Sequence, residues 1–319
     1  MGNYIIRKLL TIIPMLLVIT FLIFLGVELM PGDVLDFMIP MDELSRMTEA
    51  EVVAVRESLG LNKPFIVRFF IWLGGILRGD LGYSMQNNVP VTKLLSSTLP
   101  ATLELSFAAL IISTIIGSIL GVLSAVKKGS IGDNIMSVAG MIGVAIPQFL
   151  FGLICIILFA LKLEWFPVGG RMMPGKEAFF QRIQYLIMPA CVLGLSMTAG
   201  VMRYSRASML DSLNKDFVKT ARSKGIPEWR VNLVHGLRVA YTPVVVLVGF
   251  RLPMLVGGAI VIEEIFQWPG VGILFTNAVR TQDTAVIMSV GLFFVVLVLL
   301  SSLLVDVLTA ALDPRVQLS

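Results

Sequence analysis

Charge is scarce in this chain. Only 14% of its 319 residues are Asp, Glu, Lys or Arg while 56% are hydrophobic, whereas a soluble domain carries about a quarter charged residues. With a mean hydropathy of +0.89, the composition excludes an ordinary soluble domain and indicates an integral membrane protein. Histidine occurs once, at His235, with no second His and no Cys beside it, which leaves no basis for a His-based metal site or triad. The patterns G-x-S-x-G and G-x-x-x-x-G-K-[ST] are both missing, so there is neither a hydrolase elbow nor a Walker loop to cradle phosphates. No paired His, Ser-His or Asp-Asp set supports an intramembrane enzyme. No repeat at half the chain length supports a self-contained secondary transporter. The two cysteines, Cys155 and Cys191, lie in apolar runs and read as reduced core residues.

What is there is a series of apolar runs long enough to cross a bilayer, which takes about 20 residues. The spacing predicts spans over about 9–29, 99–125, 133–163, 185–201, 240–262 and 285–308, an all-α integral membrane protein with six transmembrane helices. Pro31-Gly32-Asp33 closes the first span, and 31–99 reads as short amphipathic helices with Gly turns resting on a membrane surface. Gly140, Gly143, Pro147 and Gly152 make the third span small-sided, suited to close packing or to bending round a cavity. Residues 162–182, with Pro174-Gly175, read as a loop. The net charge of +4 and pI of about 9.1 could suggest a nucleic-acid partner. However, the basic residues cluster in short loops on one side of the spans, the pattern of cytoplasmic loops, so no nucleic acid is expected. The stretch from Arg203 to Arg238 holds eight Lys or Arg against three Asp or Glu. It orients the chain with both termini cytoplasmic.

The longest polar run of the second half, Met209 to Arg238, lies inside that stretch. Leu210, Leu213, Phe217, Val218 and Ala221 recur at helical spacing and predict one amphipathic surface helix. Gly225 supplies the left-handed residue that ends it, and Pro227 suits the first turn of a new helix beginning at Glu228.

Lys219-Thr220-Ala221-Arg222-Ser223-Lys224-Gly225 resembles the E-A-A-x-x-x-G coupling motif of the membrane subunits of ATP-binding-cassette importers. Thr-Ala-Arg before the glycine is the variant of the peptide permeases. Lys219 replaces the general Glu, and Gly236-Leu237-Arg238 replaces the apolar, Leu and Pro pattern of many members; both departures point to the peptide subfamily. Four further clusters resemble the N-terminal region of oligopeptide and dipeptide permeases in order and spacing. They are Leu59-Gly60-Leu61-Asn62-Lys63-Pro64, the aromatic run through Trp72, Gly79-Asp80-Leu81-Gly82-Tyr83-Ser84 and Pro90-Val91. Glu263-Glu264 followed by Ile265-Phe266-Gln267-Trp268-Pro269-Gly270-Val271-Gly272, an outer re-entrant or interfacial turn, and the tail Asp313-Pro314-Arg315 fit the same family.

The resemblance implies a type I importer permease fold with a cytoplasmic coupling helix. Residues 1–98 would hold the first helix and an extracytoplasmic segment, 99–312 a five-helix core with coupling segment 209–238, and 313–319 a cytoplasmic tail. It implies a multi-pass subunit of a bacterial or archaeal plasma membrane. The implied partners are a homologous second permease, two ATPase subunits, an extracytoplasmic binding protein and the lipid bilayer. No cofactor is implied in this chain, ATP and Mg being bound by the ATPases. Coupling falls to Asp216, Phe217, Lys219, Thr220, Ala221, Arg222 and Gly225. Nickel and oligosaccharide systems share this architecture and stand as alternatives to peptides.

Four charges lie in or beside the spans. Arg251, near the middle of the fifth, is either a structural or snorkelling cation or a group lining the translocation path. Glu104, Glu263 and Glu264 are either solvated helix-end charges or carboxylates shaping an entrance for a cationic peptide terminus. The charge asymmetry also yields a topology test in a background lacking Cys155 and Cys191. Cysteines at Ser84 and Lys176 should react with an impermeant thiol reagent from outside, and cysteines at Ser130 and Ser223 only from inside. Outside labelling at Ser223 would reverse the orientation.

Overall fold

The computed structural model describes residues 2–30, 46–58, 62–172 and 179–312. Pro31-Gly32-Asp33, Leu59-Gly60-Leu61, Pro174-Gly175, Lys176 and the Asp313-Pro314-Arg315 tail lie outside them. Among the described residues the chain is helical apart from turns and one isolated bridge, Tyr83 to Pro90. This suits a lipid environment, where a helix satisfies its backbone groups internally.

Helix α1 (Gly2–Glu28) is followed by two short helices, α2 (Glu49–Ser58) and α3 (Phe65–Leu77). Helix α3 lays Phe65, Phe69 and Trp72 against Phe21 and Phe24 of α1. Arg68 of α3 pairs with Glu28. The second span is longer than its apolar run suggests: α4 runs Val91–Val126, with Pro100 inside it. Pro100 forfeits only the one backbone hydrogen bond its missing N–H would have made to the Ser96 carbonyl, and the helix continues through it.

The third span is not one straight helix. Helix α5 (Ile131–Ala145) and helix α6 (Gln148–Cys155), which widens into a π-helical stretch Ile156–Lys162, meet at 99°. Pro147 is the cause: it drives Ile146 to extended backbone, φ −78° and ψ 123°, and helix geometry stops there. Helix α7 (Phe179–Leu213) carries the chain through Arg203 and Arg206 without interruption. Two short helices follow, α8 (Asp216–Ser223) and α9 (Glu228–Arg230), and a π-helical turn Val231–Gly236 leads into α10 (Leu237–Phe266). Gln267, left-handed at φ 48°, ends α10, and α11 (Val271–Arg280) departs at 82° before α12 (Thr284–Leu312). Among the described residues five helices are long and apolar enough to cross a membrane, or up to seven spans if each bent pair counts as one.

The core is built on α4 and α7. Ala101, Leu105, Ala109, Ser113, Gly117, Gly121 and Ala125 recur at every fourth position of α4, and all are buried. A Cβ on Gly121 would lie 2.5 Å from the Met202 carbonyl, one on Gly117 would lie 2.6 Å from Val201 Cβ, and one on Gly194 would lie 2.9 Å from the Ala109 carbonyl. The backbones therefore approach to a distance that only glycine permits. The small residues predicted for close packing in the third span do less: a Cβ at Gly143 would meet nothing within 4 Å.

The 79–84 cluster is a clamp. Asp283 accepts from the Ser84 hydroxyl at 2.5 Å and from the Val286 amide at 3.3 Å, so one carboxylate caps α12 and holds the preceding segment. Ser289 adds a bond to the Leu81 carbonyl at 3.1 Å. Ser84 is only 1% exposed, whereas its neighbour Tyr83 is 65% exposed and is the better thiol-labelling position. At the opposite end of α12, Asp306 pairs with Lys8 of α1 at 2.7 Å. Helices α10 and α12 are each about 45 Å long at ~1.5 Å per residue. Because α11 joins them at one end, Lys8, Asp306 and the α8 turn share the other.

Candidate functional site

The amphipathic helix predicted over Leu210 to Ala221 is divided between two helices, while the coupling residues from Asp216 to Arg222 share one. Helix α7 ends at Leu213 and Lys215 is extended, φ −76° and ψ 154°, before α8 starts. The stripe expected from Leu210 to Ala221 is thus divided. Val218 and Ala221 are buried against Val231, Leu213 and Ile226, while Phe217 turns outward at 38% exposure. Helix α8 closes on Gly225, φ +72°, with the Gly225 amide donating to the Arg222 carbonyl at 2.9 Å and the Ile226 amide to the Ala221 carbonyl at 3.3 Å. This is the paired-bond terminator that needs a left-handed residue. Ile226 packs beneath it. Space beside Gly225 is open: an added Cβ meets nothing within 4 Å.

The outward face is polar. Lys219 pairs with Asp216 at 2.9 Å and the Thr220 hydroxyl donates to the Asp216 carbonyl at 3.0 Å. Arg222 crosses the glycine corner to Glu228 with Nε to Oε1 at 2.8 Å. Asp216, Phe217, Lys219, Thr220 and Arg222 are presented to solvent, and Ala221 serves the inner platform. Trp229, which the sequence reading passed over, is 60% exposed on the second arm with the Arg230 guanidinium 5.5 Å from its ring centre. An aromatic set in a polar, basic loop was the available signal for it. The platform is riveted to the spans by two serines of α7. Ser212 donates to the Gly236 carbonyl at 2.8 Å and Ser208 to the Ala240 carbonyl at 2.7 Å.

The four charges near the spans have separate fates. Arg251 folds across Gly200 of α7, where any Cβ would collide with the guanidinium, and Nη1 donates to the Met197 carbonyl at 2.6 Å. Among the described residues no carboxylate pairs with it. Glu104 is not a solvated helix-end charge: Arg171 grips it through Nε at 3.1 Å and Nη2 at 2.7 Å, and Arg182 also pairs with it. Glu263 departs furthest from expectation, being wholly buried. Its Oε1 accepts from the Thr102 hydroxyl at 2.6 Å, and its Oε2 accepts from the Gly272 and Ile273 amides at 2.7 and 3.3 Å. Thr102 accepts from the Val271 amide at 2.8 Å and the Trp268 indole donates to the Ala101 carbonyl at 2.8 Å. Glu263 therefore joins α4, α10 and the first turn of α11. A side chain at Gly270 or Gly272 would strike it. Glu264 is more exposed and pairs with Arg280 at 2.9 Å. No group of three or more His, Cys, Asp or Glu among the described residues could hold a metal.

Residues 117–318 match the family described as "Binding-protein-dependent transport system inner membrane component". The chain belongs to that family. Residues 1–106 match its companion, "Binding-prot-dependent transport system membrane comp, N-term". As an inner membrane component the chain is a multi-pass transporter subunit, not an enzyme. It is 41% identical over 319 residues to the oligopeptide transport system permease protein AppB of Bacillus subtilis, covering 99% of this chain and 100% of the relative. It is 40% identical over 321 residues to a putative peptide permease protein of Brucella ovis, covering 100% of both chains. The glutathione transport system permease protein GsiC of Salmonella choleraesuis is 35% identical over 318 residues, with 99% of each covered. Among solved structures, a methionine ABC transporter, MetNI, in an inward-facing form aligns with a TM-score of 0.53 at 17% identity, covering 70% of this chain and 97% of that one. An amino acid ABC transporter crystallised with histidines aligns with a TM-score of 0.52 at 18% identity, covering 69% and 94%. At that identity the likeness concerns fold alone, and it is the all-α type I importer permease fold.

Proposed function

We propose that this chain is the permease subunit of an ATP-driven importer of short peptides, that it forms half of the translocation path, and that the α8 corner couples it to an ATPase. The observation that carries the coupling role is the division of labour in α8. Its apolar side is consumed by Val218 and Ala221 within the chain, and its polar side with Phe217 is left for a partner. Docked in a groove of one ATPase, with Trp229 as a second anchor, α8 follows the closing nucleotide dimer. Ser208 and Ser212 then draw α7 and α10 along, exchanging inward for outward access. ATP and Mg belong to the ATPase chains, and a homologous permease and an extracytoplasmic binding protein complete the complex. The division at 98 and 312, cytoplasmic termini and a bacterial or archaeal plasma membrane accompany this reading.

Peptide cargo is supported by the names of three relatives that align over nearly their whole length, which serve peptide, oligopeptide and glutathione transport. Nickel and oligosaccharide cargoes find no support there. Mass spectrometry of ligand retained by the purified complex with its binding protein should reveal peptides of a few residues; a retained glycan or metal chelate would overturn the cargo assignment.

Of the charges near the spans, Arg251 is the one we assign to the path, where it would draw a substrate carboxylate. Glu104, Glu263 and Glu264 shape the far mouth through the contacts they hold. An arginine at helix centre costs at least about 2.5 kcal/mol on insertion scales, so Arg251→Leu should insert and assemble normally while peptide uptake falls several-fold. Normal uptake by a normally assembled variant would remove Arg251 from the path.

Gly225 tests the coupling role. Its surroundings are open to an added Cβ, so within this chain Gly225→Ala meets only the left-handed backbone cost, at least about 1 kcal/mol for any side chain. Because a β-branched residue is disfavoured at positive φ more than Ala, Gly225→Leu, unbranched at Cβ, is the control: a larger loss there than in Gly225→Ala reports bulk at the partner. Gly225→Val should insert and pair with its sister permease yet lose substrate-stimulated ATP hydrolysis and uptake together, and Gly225→Ala should be milder. Full coupled activity in the Val variant, measured on complex in lipid, would make the segment an ordinary loop.

A further inference from the structure

Helix α5 presents an inverted pattern. Of its 15 residues the only buried one is charged, Asp133, whereas Ile131, Ile135, Val138, Met141, Ile142 and Val144 are all exposed. The helix is therefore tied to the rest of the chain at a carboxylate in its first turn. Near its middle it also packs on α7, where a Cβ at Gly140 would lie 3.4 Å from Met202 Sδ and 3.9 Å from Ala199 Cβ. Asp133 is 3% exposed and its acceptor capacity is filled. It receives the Gly129 amide at 3.0 Å, the Ser124 hydroxyl, and Arg206 of α7 through Nε at 3.0 Å and Nη2 at 2.8 Å. Ser130 caps the same turn by accepting the Asp133 amide at 3.2 Å. A two-pronged guanidinium fixes orientation as well as distance, which a lysine does not. Burying a carboxylate is tolerated only with such complete pairing.

Arg206 stands on the continuous part of α7, two turns before Leu213 and the α8 corner. Resting on the coupling role proposed above, we infer that Asp133 and Arg206 are positioning residues that carry displacement of the coupling segment into the broken span α5–α6. Helix α7 moves as a rod, the Arg206 fork takes the first turn of α5 with it, and the bend at Pro147 lets α5 swing without dragging α6. With α5 attached at its charged end, the pair is the point where the swing is imposed.

The test is a distance measurement on the assembled complex in lipid, between spin labels on exposed positions, with Val298 of α12 as reference. In wild type, trapping the ATPases with ATP and vanadate should shift both the Tyr204–Val298 and the Ile142–Val298 distances by on the order of a few ångströms. In Asp133→Asn the Tyr204 distance should still shift and the Ile142 distance should not. Substrate transported per ATP hydrolysed, read with a labelled tripeptide, should fall about tenfold, within the usual range of coupling between sites. Arg206→Lys keeps the charge and loses the fork, and should show a partial shift. An undiminished Ile142 shift in Asp133→Asn overturns the inference, as does equal loss of both shifts. If Asp133→Asn does not assemble, Arg206→Lys decides alone: a full Ile142 shift rejects the link and a reduced one supports it. Should neither distance move in wild type, the coupling role itself fails, an outcome distinct from failure of the link.

Discussion

Everything in this subunit hangs on the backbone contact between α4 and α7. Between helices in lipid there is little hydrophobic gain, because the tails are as apolar as leucine, so cohesion must come from close packing and polar bonds. Gly117, Gly121 and Gly194 bring the two helices to a separation that no other residue would allow. That contact sets the position of both ends of α4. At one end Thr102 meets Glu263, and at the other Ser124 meets Asp133 and Arg206. Loosening the glycine seam would thus misplace two polar clusters that lie at opposite ends of the same 36-residue helix.

The polar groups divide by whether the chain completes them. Glu263, Glu104, Asp283 and Asp133 each find partners from at least two elements or loops and act as rivets. Among the described residues Arg251 has a single carbonyl, an incomplete shell of the kind that membrane proteins keep at working positions. The solvent face of α8 is incomplete in a different sense. Its salt bridges are exposed and worth about 1 kcal/mol or less, so a partner can rearrange them cheaply.

Much of this was legible in the sequence, and the failures are instructive. Apolar length located the spans, and Gly225 with Pro227 located the coupling corner, because both signals are local. The sequence reading starts α4 late and ends α7 early, since Pro100 and the polar residues near the end of α7 look like boundaries in sequence but the helices run through them. The bend at Pro147 had its cause in plain view, yet composition alone did not separate packing from bending. Asp133 and Trp229 were passed over. A lone Asp at a helix start reads as a solvated cap until Arg206, 73 residues later, is seen beside it. Glu263 was read as wet because charge at a helix end normally is, and only the fold brings Thr102 and the α11 amides to it.

The α10–α11 corner has one property that concerns hydration. A helix start leaves four amides without partners, and water usually supplies them. Here the Gly270 amide goes to the Trp268 carbonyl, that of Val271 to Thr102, and those of Gly272 and Ile273 to Glu263. The Trp268 amide and indole are likewise spent, on the Glu263 and Ala101 carbonyls. These groups carry their own solvation, so a change of depth or tilt strips no water from them; any dehydration cost of the corner falls on its more exposed polar side chains, Gln267, Glu264 and Arg280.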